Sequence, residues 1–201
     1  MGSHHPGATI AAMLDRLPDG TLLVLDEAYI DLAPEGTAVQ IDADDPRVIR
    51  FRTFSKGYGM AGLRVGYAIA APGLISAFNK VRNHFGMGRI AQAGALAALQ
   101  DQAWLAQVRA RVAEARASLA AIATANGLRP LPSATNFLTV DCGGDGAFAR
   151  AVLTGLVARG IFVRMPFVAP HDRCIRVSCG DAAACAAFAA ALPEALAAAR
   201  G

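Results

Sequence analysis

The chain has 201 residues, of which 54% are apolar and 17% charged, and its formal net charge is +3. That length allows one domain or two small ones with a buried core. The small, evenly spread charge, with no basic run or aromatic-interleaved patch, argues against a nucleic-acid partner.

The first residues, MGSHHPGATI, begin as an expression tag commonly does, so residues 1–5 are read as a tag remnant or a loop before Pro6, and His4 and His5 receive no metal role. ATIAAMLDRL has helical apolar spacing and is stopped by Pro18-Asp19-Gly20. TLLVL is a continuous apolar run of strand length and reads as a buried parallel strand. It runs into Asp26, just beyond a carboxyl end, where open α/β sheets place their ligands. RVIRF is the next strand, TFSKGYGMAG a loop, and LRVGYAIA a third strand in which Gly66 permits close backbone approach. A helix starts near Pro72. From Ile90 to about Ala125 a helical pattern runs almost unbroken, with a break expected near Gln100-Asp101-Gln102.

Beyond Gly127, TNFLTVDC, IFVRM and CIRVSC read as strands, GAFARAVLTGLVARG as a helix, and DAAACAAFAAALPEALAAA as a closing helix capped by Asp181. That βαββα order is an α+β unit of its own. The expected organisation is a first domain over residues 6–88, connecting helices over 89–126, and a small α+β domain over 127–201. The closing helix is apolar, but Pro193 and Glu194 interrupt the run and alanine contributes little to membrane insertion, so it reads as a soluble helix. Cys142, Cys174, Cys179 and Cys185 show no CxxC spacing and no stretch reads as a secretory leader, which points to a reducing cytoplasm without a disulfide framework or zinc site.

The chemistry concentrates between residues 26 and 64. A lysine amine becomes nucleophilic in a partly desolvated site beside other cations and can then form a Schiff base, which suits Lys56. Thr53 and Ser55 supply hydroxyls and Arg64 a planar fork, a set suited to a phosphate dianion. A carboxylate such as Asp26 can hold a pyridine nitrogen protonated and make the ring an electron sink. Taken singly, Lys56 is a solvated side chain, Asp26 a helix cap, Arg64 a surface residue and Tyr29 a core residue. Their joint occurrence favours a site.

VLDEAYIDL followed by RTFSKGYGMAGLRVGYAIA resembles the fold-type I aminotransferases that use pyridoxal 5'-phosphate, most closely the histidinol-phosphate aminotransferase group. The resemblance implies an α/β fold, in which part of a large domain with a mostly parallel sheet precedes a small C-terminal α+β domain. It implies that Asp26 pairs with the pyridine nitrogen, Tyr29 contacts the ring hydroxyl, Lys56 carries the cofactor, and Ser55 and Arg64 bind its phosphate with help from Thr53. In the second part, SATNFLTV resembles the family's asparagine-containing strand, giving Asn136. CIRVSCG resembles the strand whose arginine grips the substrate acid group, giving Arg176, with Arg164 of GIFVRM assisting. For both arginines the ordinary alternative is a structural ion pair.

The same resemblance implies amino-group transfer between an amino donor such as histidinol phosphate or glutamate and a 2-oxo acid, in a cytoplasmic homodimer with no metal, membrane or nucleic-acid partner. A decarboxylase or another aminotransferase on the same scaffold is the alternative within catalysis. A non-catalytic fragment that pairs with a partner chain is the alternative outside it. Members of the group carry a long stretch before the D-E-A-Y strand, and SHHPGAT resembles only its end, without the asparagine found there. A truncated form, a split enzyme and a stand-alone domain are therefore all expectations here, and the chain alone is not expected to be a competent transaminase.

Overall fold

A computed structural model describes residues 1–201. The chain forms two compact units, one of His4–Arg109 and one of Met1–Ser3 with Ala110–Gly201.

The first unit opens with α1 (Gly7–Leu14) and builds a three-stranded sheet from β1 (Leu23–Asp26), β2 (Val48–Thr53) and β3 (Gly66–Ala70), in that order. β1 pairs parallel with β2, but β3 pairs antiparallel. These three strands therefore do not give the mostly parallel arrangement expected. The physical reason lies between β2 and β3, where the connection holds one short 3-10 turn, Ala61–Leu63, and no crossover helix of the kind that parallel neighbours need. β1 is also less buried than its apolar run suggests. It lies at the edge of this sheet, and Val24 is 56% exposed. At position 66 a Cβ would stand 2.8 Å from the Arg52 carbonyl oxygen, so only glycine allows β3 to approach β2 there.

α2 (Pro72–Phe78) and α3 (Arg89–Gln100) come next, and α4 (Gln102–Ala125) starts one residue after α3 ends. Asp101 takes non-helical angles and its Oδ1 accepts the Trp104 N–H at 2.9 Å, so the interruption expected from the sequence is a one-residue break that caps the next helix. Phe54, Val65 and Ala95 form a small core, with Tyr58, Met60 and Tyr67 against it.

The second unit carries an antiparallel sheet of β4 (Arg129–Pro130), β5 (Phe137–Asp141) and β6 (Cys174–Ser178), with α5 (Gly146–Ala158) and α6 (Ala182–Arg200). IFVRM does not form the strand expected. Only Arg164 bridges to β6, because Pro166, which has no N–H to donate, stands two residues later. The core is larger here, with Leu119, Val140, Val152, Leu156, Ile175 and Leu192 almost fully buried. α5 and α6 meet closely at Gly155, where a Cβ would lie 3.1 Å from the Ala195 backbone. α6 runs through Pro193 instead of stopping, at the loss of one intrahelical hydrogen bond. By length and composition it could cross a membrane. Its Cys185, Phe188, Leu192, Ala195 and Leu196 lie instead in the core, at helical spacing. Met1 and Gly2, read from the sequence as part of a tag remnant or loop, are bonded to this unit: the Met1 carbonyl accepts from Thr139 Oγ1 at 2.8 Å and that of Gly2 from the Ala134 N–H at 2.8 Å.

All four cysteines are free thiols, and burial pushes Cys142 up to about 12 and Cys179 up to about 11. At the end of β5, Asp141 is buried. Burial alone would raise its carboxyl, but the Gly143 N–H and the guanidinium groups of Arg129 and Arg173, each at 2.8 Å, outweigh it and hold the group below the usual carboxylate range. The folded state therefore binds the Asp141 proton more weakly than the unfolded chain, and this stabilisation is complete above the unfolded value of about 3.9 and lost as pH falls through the lower folded value. Asp141→Asn is expected to cost about 1–3 kcal/mol at neutral pH and to flatten the acid limb of a stability-against-pH curve measured by urea unfolding. An unaltered acid limb would exclude this role.

Candidate functional site

The first cluster lies at the carboxyl end of the β1–β2 pair. Asp26 stands opposite Phe51 in register, so the segments that leave β1 and β2 start from one sheet edge. Asp26 is exposed, and its Oδ1 accepts the Ala28 N–H at 3.0 Å, which fixes the start of the turn. The turn tightens through Ile30 N–H to the Glu27 carbonyl and Leu32 N–H to the Tyr29 carbonyl, both 3.0 Å. This leaves Tyr29 half-buried with the Lys56 Nζ 5.1 Å from its ring centroid, within cation–π range. Two residues far apart in sequence are thus brought together.

Beyond β2, the Thr53 Oγ1 lies 2.9 Å from the Ser55 Oγ and accepts the Ser55 N–H at 3.0 Å. The loop closes on itself through Gly59 N–H to the Lys56 carbonyl at 3.0 Å and Met60 N–H to the Phe54 carbonyl at 2.9 Å. Gly57 is buried, and a Cβ there would lie 3.1 Å from the Asp31 Cβ, so the residue after Lys56 has almost no room. Arg64 is exposed and takes φ 55° and ψ 48°, the one non-glycine residue with left-handed backbone. Its Nη1 donates to the Ala61 carbonyl at 2.7 Å, so its guanidinium is bonded within its own loop.

Sequence reading missed Glu27. Its side chain is buried, and it accepts from Arg50 Nε at 3.0 Å on one oxygen and from Arg52 Nε at 2.8 Å on the other. The signal was present in RVIRFRT, where two arginines two residues apart share one face of a strand. Nearby, burial pushes the Asp31 carboxyl up, while the charges of Arg52 and Arg109 pull it back in part.

The second cluster lies in the other unit. Arg176 N–H donates to the Arg164 carbonyl at 2.6 Å and Arg164 N–H to that of Arg176 at 3.1 Å, a directly opposed antiparallel pair whose side chains share a sheet face. The guanidinium carbon of half-buried Arg176 lies over the Phe137 ring, 4.5 Å from its centroid. Arg164 and Arg176 line a cavity of about 780 Å³ with Arg150, Phe162 and Phe167, and no carboxylate lines it. Asn136 does not line that cavity. Its carbonyl accepts the Cys179 N–H at 2.9 Å.

Residues 1–192 match the model of the family described as aminotransferase class I and II. The chain belongs to that family. Among its relatives, the histidinol-phosphate aminotransferase of Moorella thermoacetica is 36% identical over 194 residues, which are 94% of this chain and 50% of that protein. Histidinol-phosphate aminotransferase 2 of Ralstonia nicotianae is 38% identical over 98% of this chain and 55% of its own length. Among solved structures, histidinol-phosphate aminotransferase from Sinorhizobium meliloti, in complex with pyridoxal-5'-phosphate, superposes with a TM-score of 0.93 at 50% identity, over 98% of this chain and 55% of that one. The α/β fold is therefore that of these aminotransferases. The chain spans about half the length of the curated relatives it matches.

Proposed function

We propose that this aminotransferase segment belongs to a pyridoxal 5'-phosphate-dependent enzyme that transfers an amino group from histidinol phosphate or glutamate to a 2-oxo acid. The observation that carries the reading is the Lys56 amine seated over the Tyr29 ring at the carboxyl end of β1 and β2, one residue after the hydrogen-bonded hydroxyls of Thr53 and Ser55. The donor set fits the cofactor group by group. Lys56 would hold its aldehyde, Asp26 its pyridine nitrogen, Tyr29 its ring hydroxyl, and Thr53, Ser55 and Arg64 its phosphate. For Arg64 this requires release from the Ala61 carbonyl. When bound, the cofactor supplies an aldehyde that takes up the amino group and a ring that accepts electrons from the bond being broken.

The rest falls to side chains of the protein. The Asp26 carboxylate, kept exposed and oriented by the Ala28 N–H, pairs with a protonated ring nitrogen. The Lys56 amine would take the proton from the substrate Cα as general base and, as general acid, deliver it to the carbon that was the cofactor's aldehyde. Arg176 and Arg164, which have no carboxylate partner of their own, take the acid groups of the substrate, the planar guanidinium accommodating a carboxylate or a phosphate ester. Asn136, which lies outside the cavity that Arg164 and Arg176 line, is the further substrate contact in this reading. In this reading residues 6–88 are part of the cofactor-binding large domain, 89–126 the connecting helices and 127–201 the small domain, in a cytoplasmic homodimer.

Lys56 and Lys80 are the only lysines, which makes the test direct. Borohydride reduction of the chain in the presence of pyridoxal 5'-phosphate, followed by peptide mapping, is expected to place the label on Lys56. Label on Lys80 alone, or on neither, would sink the reading.

A further inference from the structure

Glu27 is the one charged side chain of the first unit that is buried, at 9% exposure, and it sits between Asp26 and the turn that carries Tyr29. Its two oxygens are divided between two arginines of the neighbouring strand. Arg50 reaches Oε1 through Nε and Nη2, both at 3.0 Å, and Arg52 reaches Oε2 through Nε at 2.8 Å. Arg52 stands opposite Tyr67 of β3 in register, so the clamp joins the end of β1 to the strand at the centre of this sheet. The backbone adds a further tie from the Glu27 N–H to the Phe51 carbonyl at 2.9 Å.

Burying one carboxylate with two guanidinium groups is a poor way to gain stability, because apolar residues of the same volume serve as well or better once desolvation is counted. What such a cluster supplies is a fixed geometry, since a bidentate carboxylate tolerates little sliding of one strand end past the other. The geometry fixed here is a functional one. Tyr29 lies two residues beyond Glu27, and Lys56 lies four residues beyond Arg52.

We propose that Glu27, clamped between Arg50 and Arg52, is the positioning residue that sets the Asp26–Tyr29 turn against Lys56. Its purpose rests on the reading of Lys56 as the cofactor lysine. Its geometry is testable without the cofactor. Glu27 touches no reacting atom. It acts through the turn it anchors.

The measurement is peptide-resolved trinitrophenylation of the 201-residue chain, with the exposed Lys80 as internal reference. In Glu27→Ala the amine is expected to leave the Tyr29 ring, and the Lys56 to Lys80 rate ratio to rise at least fivefold. Glu27→Gln keeps the shape and one acceptor oxygen, and is expected to recover most of the native ratio, within about twofold of it. Helical circular dichroism and the melting temperature are recorded on the same samples. An unchanged ratio in folded Glu27→Ala, even with a lowered melting temperature, overturns the proposal, because a purely structural clamp would do that. If Glu27→Ala does not fold, Arg50→Met replaces it with the same expectation and the same overturning result. In the unmodified chain, absence of borohydride-trapped cofactor on Lys56 counts against the proposed function, while the Glu27 proposal is still decided by the labelling ratio.

Discussion

Lys56→Ala is expected to lower amino-group transfer by at least about 10⁴-fold in an enzyme of the relatives' full length that carries this segment. Position-matched general acid–base catalysis alone contributes about 10²–10⁴-fold, and in the proposed function the same amine also anchors the cofactor. Nothing nearby can substitute. The next two residues are Gly57, which is buried against Asp31, and Tyr58, and the other lysine, Lys80, is exposed beyond α2. Steady-state turnover of histidinol phosphate with 2-oxoglutarate is the measurement, repeated with added methylamine. Recovery of part of the lost rate by the free amine would mark Lys56 as the proton carrier. Activity within tenfold of the unmodified enzyme would remove it from the site.

Arg176→Ala is expected to reduce kcat/KM for glutamate by about 30-fold or more, chiefly through KM, because losing a desolvated charge-assisted pair costs about 2–5 kcal/mol. The arginine is well placed for this. It is half-buried, its guanidinium carbon lies over the Phe137 ring at 4.5 Å, and no carboxylate lines its cavity. A guanidinium held over an aromatic ring without a carboxylate partner is preorganised and gives up little rotamer freedom when an anion arrives. Cofactor retention should not change, since the proposed cofactor contacts are Asp26, Tyr29, Thr53, Ser55, Lys56 and Arg64 and do not include Arg176. Kinetics with glutamate and dialysis of the bound cofactor separate the two effects, and unaltered glutamate kinetics would exclude Arg176.

Much of this architecture could be read from local pattern. The helices, the break at Asp101, the Asp181 cap, whose side chain accepts the Ala184 N–H at 2.8 Å, and the close approach at Gly66 each arise from one residue type with one physical property. What escaped depends on neighbours. The run LVLD looks buried because its residues are apolar, yet burial is decided by what lies beside a strand, and β1 has a neighbour on one side of this sheet. IFVRM has strand composition but makes a single bridge, because Pro166, just beyond it, has no N–H to offer a ladder. Two-residue β4 is too short to leave a period. The closing helix read through Pro193 does form as one element, since a packed helix face outweighs one lost hydrogen bond.

The candidate site divides in the same way. The residue types of Asp26, Tyr29, Thr53, Ser55, Lys56 and Arg64 announce their chemistry, and the spacing places them at strand ends. Which of them touch was not legible. Tyr29 meets Lys56 and Thr53 meets Ser55, whereas Arg64 is bonded to Ala61. Glu27 was hidden because a glutamate beside an aspartate reads as one more surface acid until the two arginines of β2 are seen to face it.

The left-handed backbone at Arg64 bears on how this sequence can drift. A side chain with a Cβ loses about 1–2 kcal/mol in that conformation, and glycine loses almost none, although it gives back part of the gain through the greater freedom of its unfolded chain. A population selected only for folding would move position 64 toward glycine or asparagine. One selected for phosphate capture would hold arginine there against that pull. Deep mutational scanning under the two regimes should thus give opposite preferences at one codon if Arg64 holds the phosphate as proposed, and the same preference if it does not.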